Sequence, residues 1–179
     1  MTVSRINSED LRRILGRFVT GVTVVTYRHE GTPYGMTANA FTSISLDPPL
    51  ILISVDKQAR SHGRIAASRA FAVNILAERQ EPIAIRFAGA HRELDNPFEG
   101  VPYTDGETGS PLLTTALGWL DCRLHAAHDA GDHTLFLGEI LGLGVNSHES
   151  PLVFYAGSLR KLGEHSLTDV VWAWDVLQS

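Results

Sequence analysis

Two stretches of this chain carry residue types that could do chemistry. The first is Met36-Thr37-Ala38-Asn39-Ala40-Phe41-Thr42-Ser43-Ile44-Ser45-Leu46-Asp47-Pro48-Pro49. In an extended chain alternate residues share a face. Thr37, Asn39, Phe41, Ser43 and Ser45 then fall on one side, with Met36, Ala38, Ala40, Ile44 and Leu46 on the other. A strand wetted on one side usually carries Lys, Glu or Arg there, and none stands between Gly35 and Leu46. Small neutral donors and acceptors suit a face that meets something flat, polar and close. An ordinary barrel strand packed under a neighbour fits the same residues.

The second stretch is His128-Asp129-Ala130-Gly131-Asp132-His133. A metal site on His128, Asp132 and His133 is one reading, although adjacent strand residues point apart and no further ligand cluster accompanies them. A plain hairpin turn accounts for Gly131-Asp132 but not for the imidazole that follows. Two lesser groupings stand beside these. Ser54-Val55-Asp56-Lys57 runs through a loop into Ser61-His62-Gly63, where helix N-terminal amides, a hydroxyl and an ammonium could hold a phosphate. Equally, Ser61 could cap the helix and Lys57 be a solvated charge. Arg86-Phe87-Ala88-Gly89 ends a helix, with glycine in the usual stop position and Phe87 open to a core role.

Positioning these residues falls to a chain of 179 residues, a length that suits one domain with a substantial core. Hydrophobic residues at 44% and charged residues at 20% give an ordinary globular balance. A net charge of -5 disfavours nonspecific nucleic-acid binding. No apolar run is long enough to span a bilayer, and the first residues lack the layout of a secretory signal. Cys122 is alone, which excludes an internal disulfide, suits a structural thiol and makes the cytoplasm the simplest home.

Asn7 or Ser8 caps a helix whose Leu11, Ile14, Leu15 and Phe18 recur at helical spacing until Gly21. Strands are expected over 22–27, 50–55, 71–76, 119–128, 134–145 and 151–155, with a turn at Glu30-Gly31-Thr32-Pro33. Short helices are expected over 61–67 and from Glu81-Pro82 to about Phe87, and a long loop over 89–111. Many strands with few helices point to a mainly β protein, an antiparallel barrel with helices outside it. No strand-GxGxxG-helix unit is present, so a nucleotide would have to be held in some other way.

Taken in order, Gly21-Val22-Thr23-Val24-Val25-Thr26, Gly35 to Leu50, Phe71-Ala72-Val73-Asn74-Ile75-Leu76, Arg86 to Gly89, Gly131-Asp132-His133-Thr134 and Pro151-Leu152-Val153-Phe154-Tyr155 resemble the short-chain flavin reductases. These are flavin reductase-like proteins of the FMN-binding split-barrel group, which supply reduced flavin to two-component monooxygenases. The likeness spans about residues 10 to 162. It departs at Gly157-Ser158-Leu159-Arg160, where Leu159 takes a place often held by tyrosine. The expected division is a split-barrel domain over 1–163 and a tail over 164–179 of unassigned role, in which Trp172 and Trp174 could cover a dimer seam or an apolar patch.

The resemblance implies an antiparallel split β-barrel and a roster of site residues. Thr37, Ala38, Asn39 and Ala40 would cradle the flavin ring, with Ser43 and Ser45 continuing that small polar face. Ser54, Val55, Lys57 and Ser61, with Arg60 as a second cation, would lie at the flavin phosphate. Arg86, Phe87, Ala88 and Gly89 would border the ring, Arg86 reaching toward the phosphate. Tyr155 could present its ring or hydroxyl to the flavin or simply fill the barrel. His133 would contact the pyridine nucleotide and Asp132 would orient the imidazole. The implied ligands are FMN or FAD, with NADH or NADPH as hydride donor. The implied assembly is a homodimer serving a separate monooxygenase, with no metal, nucleic acid or membrane. The alternative is a protein of the same fold that keeps its flavin and acts on an organic substrate, or only binds it.

Overall fold

The computed structural model describes residues 6–90 and 96–162. In chain order these form α1 (Ser8–Leu15), β1 (Thr20–Gly21), β2 (Thr23–His29), β3 (Thr32–Ala38), β4 (Phe41–Leu46), β5 (Pro49–Asp56), α2 (Arg60–Ser68), β6 (Ala70–Ile75) and α3 (Glu81–Ile85). Then follow β7 (Tyr103–Asp105), β8 (Pro111–Leu113), β9 (Gly118–Ala130), β10 (His133–Val145), β11 (Leu152–Tyr155) and β12 (Ser158–Lys161).

Seven strands make one antiparallel sheet in the order β3-β2-β6-β9-β10-β5-β4. Its two outermost strands, β3 and β4, are consecutive in the chain and separated only by Asn39 and Ala40. Two residues cannot span an open sheet of that width, so the sheet curls until its edges meet at this corner. The β3 and β4 edges do not pair with each other, which leaves the barrel split there. Beside it lie a three-stranded sheet, β1-β11-β12, and the β7-β8 hairpin.

Side-chain alternation sends apolar residues to two cores. Val25 and Tyr27 of β2 enter the barrel with Ile51, Ile53, Val55, Phe71 and Phe136, while Val22 and Val24 pack outside it with Leu76, Phe87, Phe98 and Leu113. Fully burying each such side chain is worth about 1.5–3 kcal/mol. Cys122 is fully buried, and burial, then the neighbouring Asp121, pushes its thiol up to about 12, consistent with a structural role.

Several expected elements differ in detail. Residues 36–46 are two strands rather than one, and the corner resets the alternation, so Phe41 packs on the same core as Met36 and Ala38. Asn7 caps α1 as expected, its Oδ1 accepting from Glu9 N at 3.0 Å, but Gly16 ends the helix well before Gly21. The turn after β2 needs only Glu30 and Gly31, both at positive φ, and Thr32-Pro33 open β3. Pro33 is tolerated there because β3 is an edge strand. Within 89–111 the described residues include β7 and the buried Phe98 and Val101. The sequence reading passed over β1, β7, β8 and β12, all four residues or shorter. The tail, with Trp172 and Trp174, lies outside the described residues. Among those described, no helix is long and apolar enough to cross a membrane.

Candidate functional site

The corner between β3 and β4 opens a concave surface of about 980 Å³, walled by the segment from Arg12 to Gly21 on one side and by Asn39 to Thr42 on the other. Leu52 and Ser54 of β5 form part of its floor, because β5 alternates Ile51, Ile53 and Val55 into the barrel with Leu50, Leu52 and Ser54 away from it. Ser54 N donates to Ala40 O at 3.0 Å, which ties the end of β5 to the corner. Asn39 Nδ2 donates to Thr20 Oγ1 at 3.2 Å, and Thr23 Oγ1 donates to Ala38 O at 2.7 Å. Of the expected cradle, Asn39, Ala40 and Ser54 thus line one cavity.

A smaller cavity of about 300 Å³ adjoins it, lined in part by Thr37, Ala38, Asn39 and Ala88. Two contacts latch α3 and the segment just after it against β3. Thr37 Oγ1 donates to Ala84 O at 2.6 Å, and Gly35 leaves room for the Phe87 ring, which a Cβ there would meet at 2.7 Å. Gly89, at φ 87, then turns the chain in the left-handed region that glycine enters freely. Phe87 is 6% exposed and belongs to the outer core, so its side chain supports the site from behind, while Ala88 faces the opening. Arg86 Nη1 donates to Glu99 O at 2.5 Å, an engagement its sequence position did not reveal.

The His133-Asp132 pair stands on the rim next door. Gly131 and Asp132 form a two-residue turn between β9 and β10, with Ala130 opposite His133. His133 also sits opposite Asp56, and Leu135 opposite Ser54. The imidazole is therefore two residues, about 7 Å along the strand, from the level of the cavity floor. His133 Nδ1 and Asp132 Oδ1 are 2.7 Å apart, and this hydrogen bond, then the imidazole's charge, holds Asp132 below the usual carboxylate range. A carboxylate on Nδ1 leaves Nε2 to face a ligand.

Lys57 serves this same rim. Its Nζ donates to Gly131 O at 2.9 Å and pairs with Asp129 Oδ1 at 3.1 Å, and its backbone N donates to Asp132 O at 3.0 Å. It braces the hairpin turn. Ser61 is 8% exposed in the first turn of α2, and Ala59, not Ser61, is the N-cap residue. Val55 is 1% exposed in the barrel core, which leaves only its backbone for a ligand. Ser43 and Ser45 lie farther along β4, opposite Ile51 and Leu50 across a bulge, and away from both cavities.

Tyr155 lines neither cavity, and its hydroxyl accepts from Arg17 Nη1 at 3.1 Å. Its neighbour Phe154 lines both cavities, as strand alternation requires once Tyr155 faces away. Leu159 of β12 walls the smaller cavity. Sequence reasoning also missed His62, whose Nε2 lies 2.8 Å from Thr134 Oγ1 and joins α2 to β10. Nothing in its spacing marked that partner. Among the described residues no three His, Cys, Asp or Glu side chains gather as metal ligands, and His128 is an exposed residue opposite Leu135.

Comparison with known proteins adds an independent line. The profile of the family described as "Flavin reductase like domain" matches residues 15–163. A Rhodococcus sp "NADH-dependent flavin reductase" is 46% identical over 155 residues, covering 85% of this chain and 85% of its own. The "Flavin-dependent monooxygenase, reductase subunit HsaB" of Rhodococcus jostii (strain RHA1) is 37% identical over 171 residues, covering 96% of this chain and 86% of its own. Among solved structures, the Streptomyces globisporus C-1027 NADH:FAD oxidoreductase SgcE6, in complex with NAD and FAD fragments, superposes with a TM-score of 0.82 at 39% identity. That match covers 92% of this chain and 99% of the other, and the split-barrel architecture is shared.

Proposed function

Because the chain belongs to the flavin reductase-like family, we infer that it is an NAD(P)H-dependent flavin reductase that hands reduced flavin to a separate monooxygenase component. The observation that carries the reading is the register at the end of β5, which sets a mostly apolar cavity of about 980 Å³ beside the His133-Asp132 pair.

The reaction moves a hydride from nicotinamide C4 to flavin N5, and that chemistry belongs to the two nucleotides. The chain's own residues hold the two rings in contact and limit water between them. The backbone from Thr37 to Ala40, with no long side chain in the way, and the Asn39 amide serve the polar edge of the flavin. Leu52, Phe41 and Phe154 offer apolar walls to its faces. His133, oriented by Asp132, contacts the pyridine nucleotide and sets it at near-attack distance, about 3–3.5 Å between reacting atoms. The domain reading over 1–163 is supported by the family match over residues 15–163.

A second copy of the chain completes the cavity. No residue of α1 is buried, although Leu11, Ile14 and Leu15 share an apolar face, and Phe18 beyond it is 76% exposed. Leu15, Phe18 and Val19 also line the large cavity, so the copy that covers them closes it. Sedimentation at micromolar concentration is expected to give a dimer, and a monomer would remove this part of the reading.

The function is tested by mixing purified protein with NADH or NADPH and with FMN, FAD or riboflavin under air, following the nicotinamide absorbance. Saturable dependence on added flavin is the expected result. A protein that oxidised neither nucleotide with any of the three flavins would refute the reading. Turnover indifferent to added flavin, in a protein already yellow, would make the flavin a resident group.

A further inference from the structure

Thr134 follows His133 on β10, and strand alternation sends the two side chains to opposite faces of the sheet. His133 stands on the rim with Asp132, while Thr134 shares the face of Phe136, which lies in the barrel core. Thr134 is 6% exposed, and a buried hydroxyl needs a partner. That partner is His62, whose Nε2 lies 2.8 Å from Oγ1. His62 stands in the first turn of α2, and its ring packs tilted on Phe136 with the centroids 5.5 Å apart. The helix behind it is well seated, since Ile65 is fully buried in the barrel core and the Arg64 guanidinium lies 4.2 Å over the Tyr34 ring. The ties from Lys57 reach Gly131 and Asp132, in the turn before His133. Past His133 along β10, His62 supplies the first side-chain hydrogen bond among the described residues, and the next, from Arg123, falls at Glu139. A strand that rolled about its axis at Thr134 would swing the His133 imidazole the opposite way, because the two side chains leave one backbone on opposite sides.

We propose that His62 is a positioning residue for hydride transfer: by gripping Thr134 from the barrel side, it fixes the angle at which His133 meets the pyridine nucleotide. This rests on the flavin reductase reading and deepens it. Control of the nicotinamide extends from the rim to a helix residue that lines neither cavity.

The test is a double-mutant cycle between His62 and His133, read by steady-state kinetics with the nicotinamide nucleotide that the wild type oxidises faster. Flavin dissociation constants are measured alongside by fluorescence quenching. His62→Ala is expected to lower kcat/KM for the nicotinamide nucleotide about tenfold, a part of the loss in His133→Ala, and to leave flavin binding unchanged. Thr134→Val removes the same hydrogen bond and should match it. His62→Gln keeps a hydrogen-bonding group of similar reach and should recover most of the rate. In the His133→Ala background His62→Ala should change nothing further, because the residue it positions has gone. Losses that multiply in the double variant overturn the proposal. So does a parallel fall in flavin affinity, the mark of a general loosening, and so do wild-type kinetics in His62→Ala. If His62→Ala does not fold, Thr134→Val takes its place in the cycle with the same expectations. The two readings fail separately. A wild type that reduces flavin upholds the reductase reading whatever the cycle shows, and one that oxidises neither nucleotide with any flavin refutes both.

Discussion

At the rim where β5, the β9-β10 turn and α2 meet, polar groups satisfy one another. Asp132 holds His133, Lys57 holds Asp129 and Gly131, and His62 holds Thr134. Around the large cavity, a few residues away along β5, the pattern reverses. Its walls are apolar or small and neutral, its one cation has no partner among the described residues, and several of its side chains, Phe18 among them, are exposed. A rim whose groups are already paired holds its geometry with or without a ligand. A cavity with apolar or small walls, and a cation unpartnered among the described residues, leaves those surfaces open to an occupant. Paired polar groups and open, mostly apolar walls therefore lie in different parts of the same cleft.

The strongest way to break that division is His133→Ala. Turnover with NADH should fall about 10²-fold, the scale on which misplacing a reactant acts, while the flavin dissociation constant stays put. Flavin affinity falling in parallel would merge the two regions into one. Gly35→Ala attacks the opposite side. Its Cβ would meet the Phe87 ring at 2.7 Å and press on the latch between β3 and α3. Overpacking of this kind costs about 1–3 kcal/mol, which urea unfolding would read, and the smaller cavity should distort with it.

Lys57→Gln should be milder. The Lys57–Asp129 pair is largely exposed, so its loss should cost at most about 1 kcal/mol. Flavin affinity should not change, because the ammonium is engaged by the hairpin. A large loss of FMN affinity, with riboflavin spared, would put Lys57 back at the phosphate.

The smallest expected effect is that of acid on Asp132. Its folded pKa lies below its unfolded value, mainly through the hydrogen bond to His133. What the pair contributes to stability is thus present above the unfolded pKa and is lost as pH falls through the folded one. Carboxyl NMR titration should place the midpoint below the ordinary Asp range, and His133→Ala should return it there. A midpoint indifferent to His133 would mean that the pair does not form in solution.

The barrel was largely legible in the sequence, since the strands it predicts carry apolar side chains in unbroken or alternating runs. The strands it missed are β1, β7, β8 and β12, too short to show a period. Gly131-Asp132-His133 was legible as a turn followed by an imidazole, and Thr37 to Ala40 as a face without long side chains. What stayed hidden was the pairing of charges. Lys57 and Arg86 look free in a linear chain, and each meets its partner only where a distant segment folds beside it, Asp129 in one case and Glu99 in the other. Arg12 had the opposite history, an unremarkable helix residue until a cavity formed next to it.

Residue order by itself determined a mainly β chain, the cap of α1, the tight turn before His133 and the family to which the protein belongs, because each depends on neighbours within a few residues or on an ordered set of motifs. Only the tertiary structure decided that the 36–46 stretch breaks into the two edges of a split barrel. It also decided that Phe154 rather than Tyr155 lines the cavity, and that Lys57 and Arg86 are engaged by distant segments. Those outcomes depend on contacts between segments far apart in the chain, and a side chain's partner is set by what packs against it.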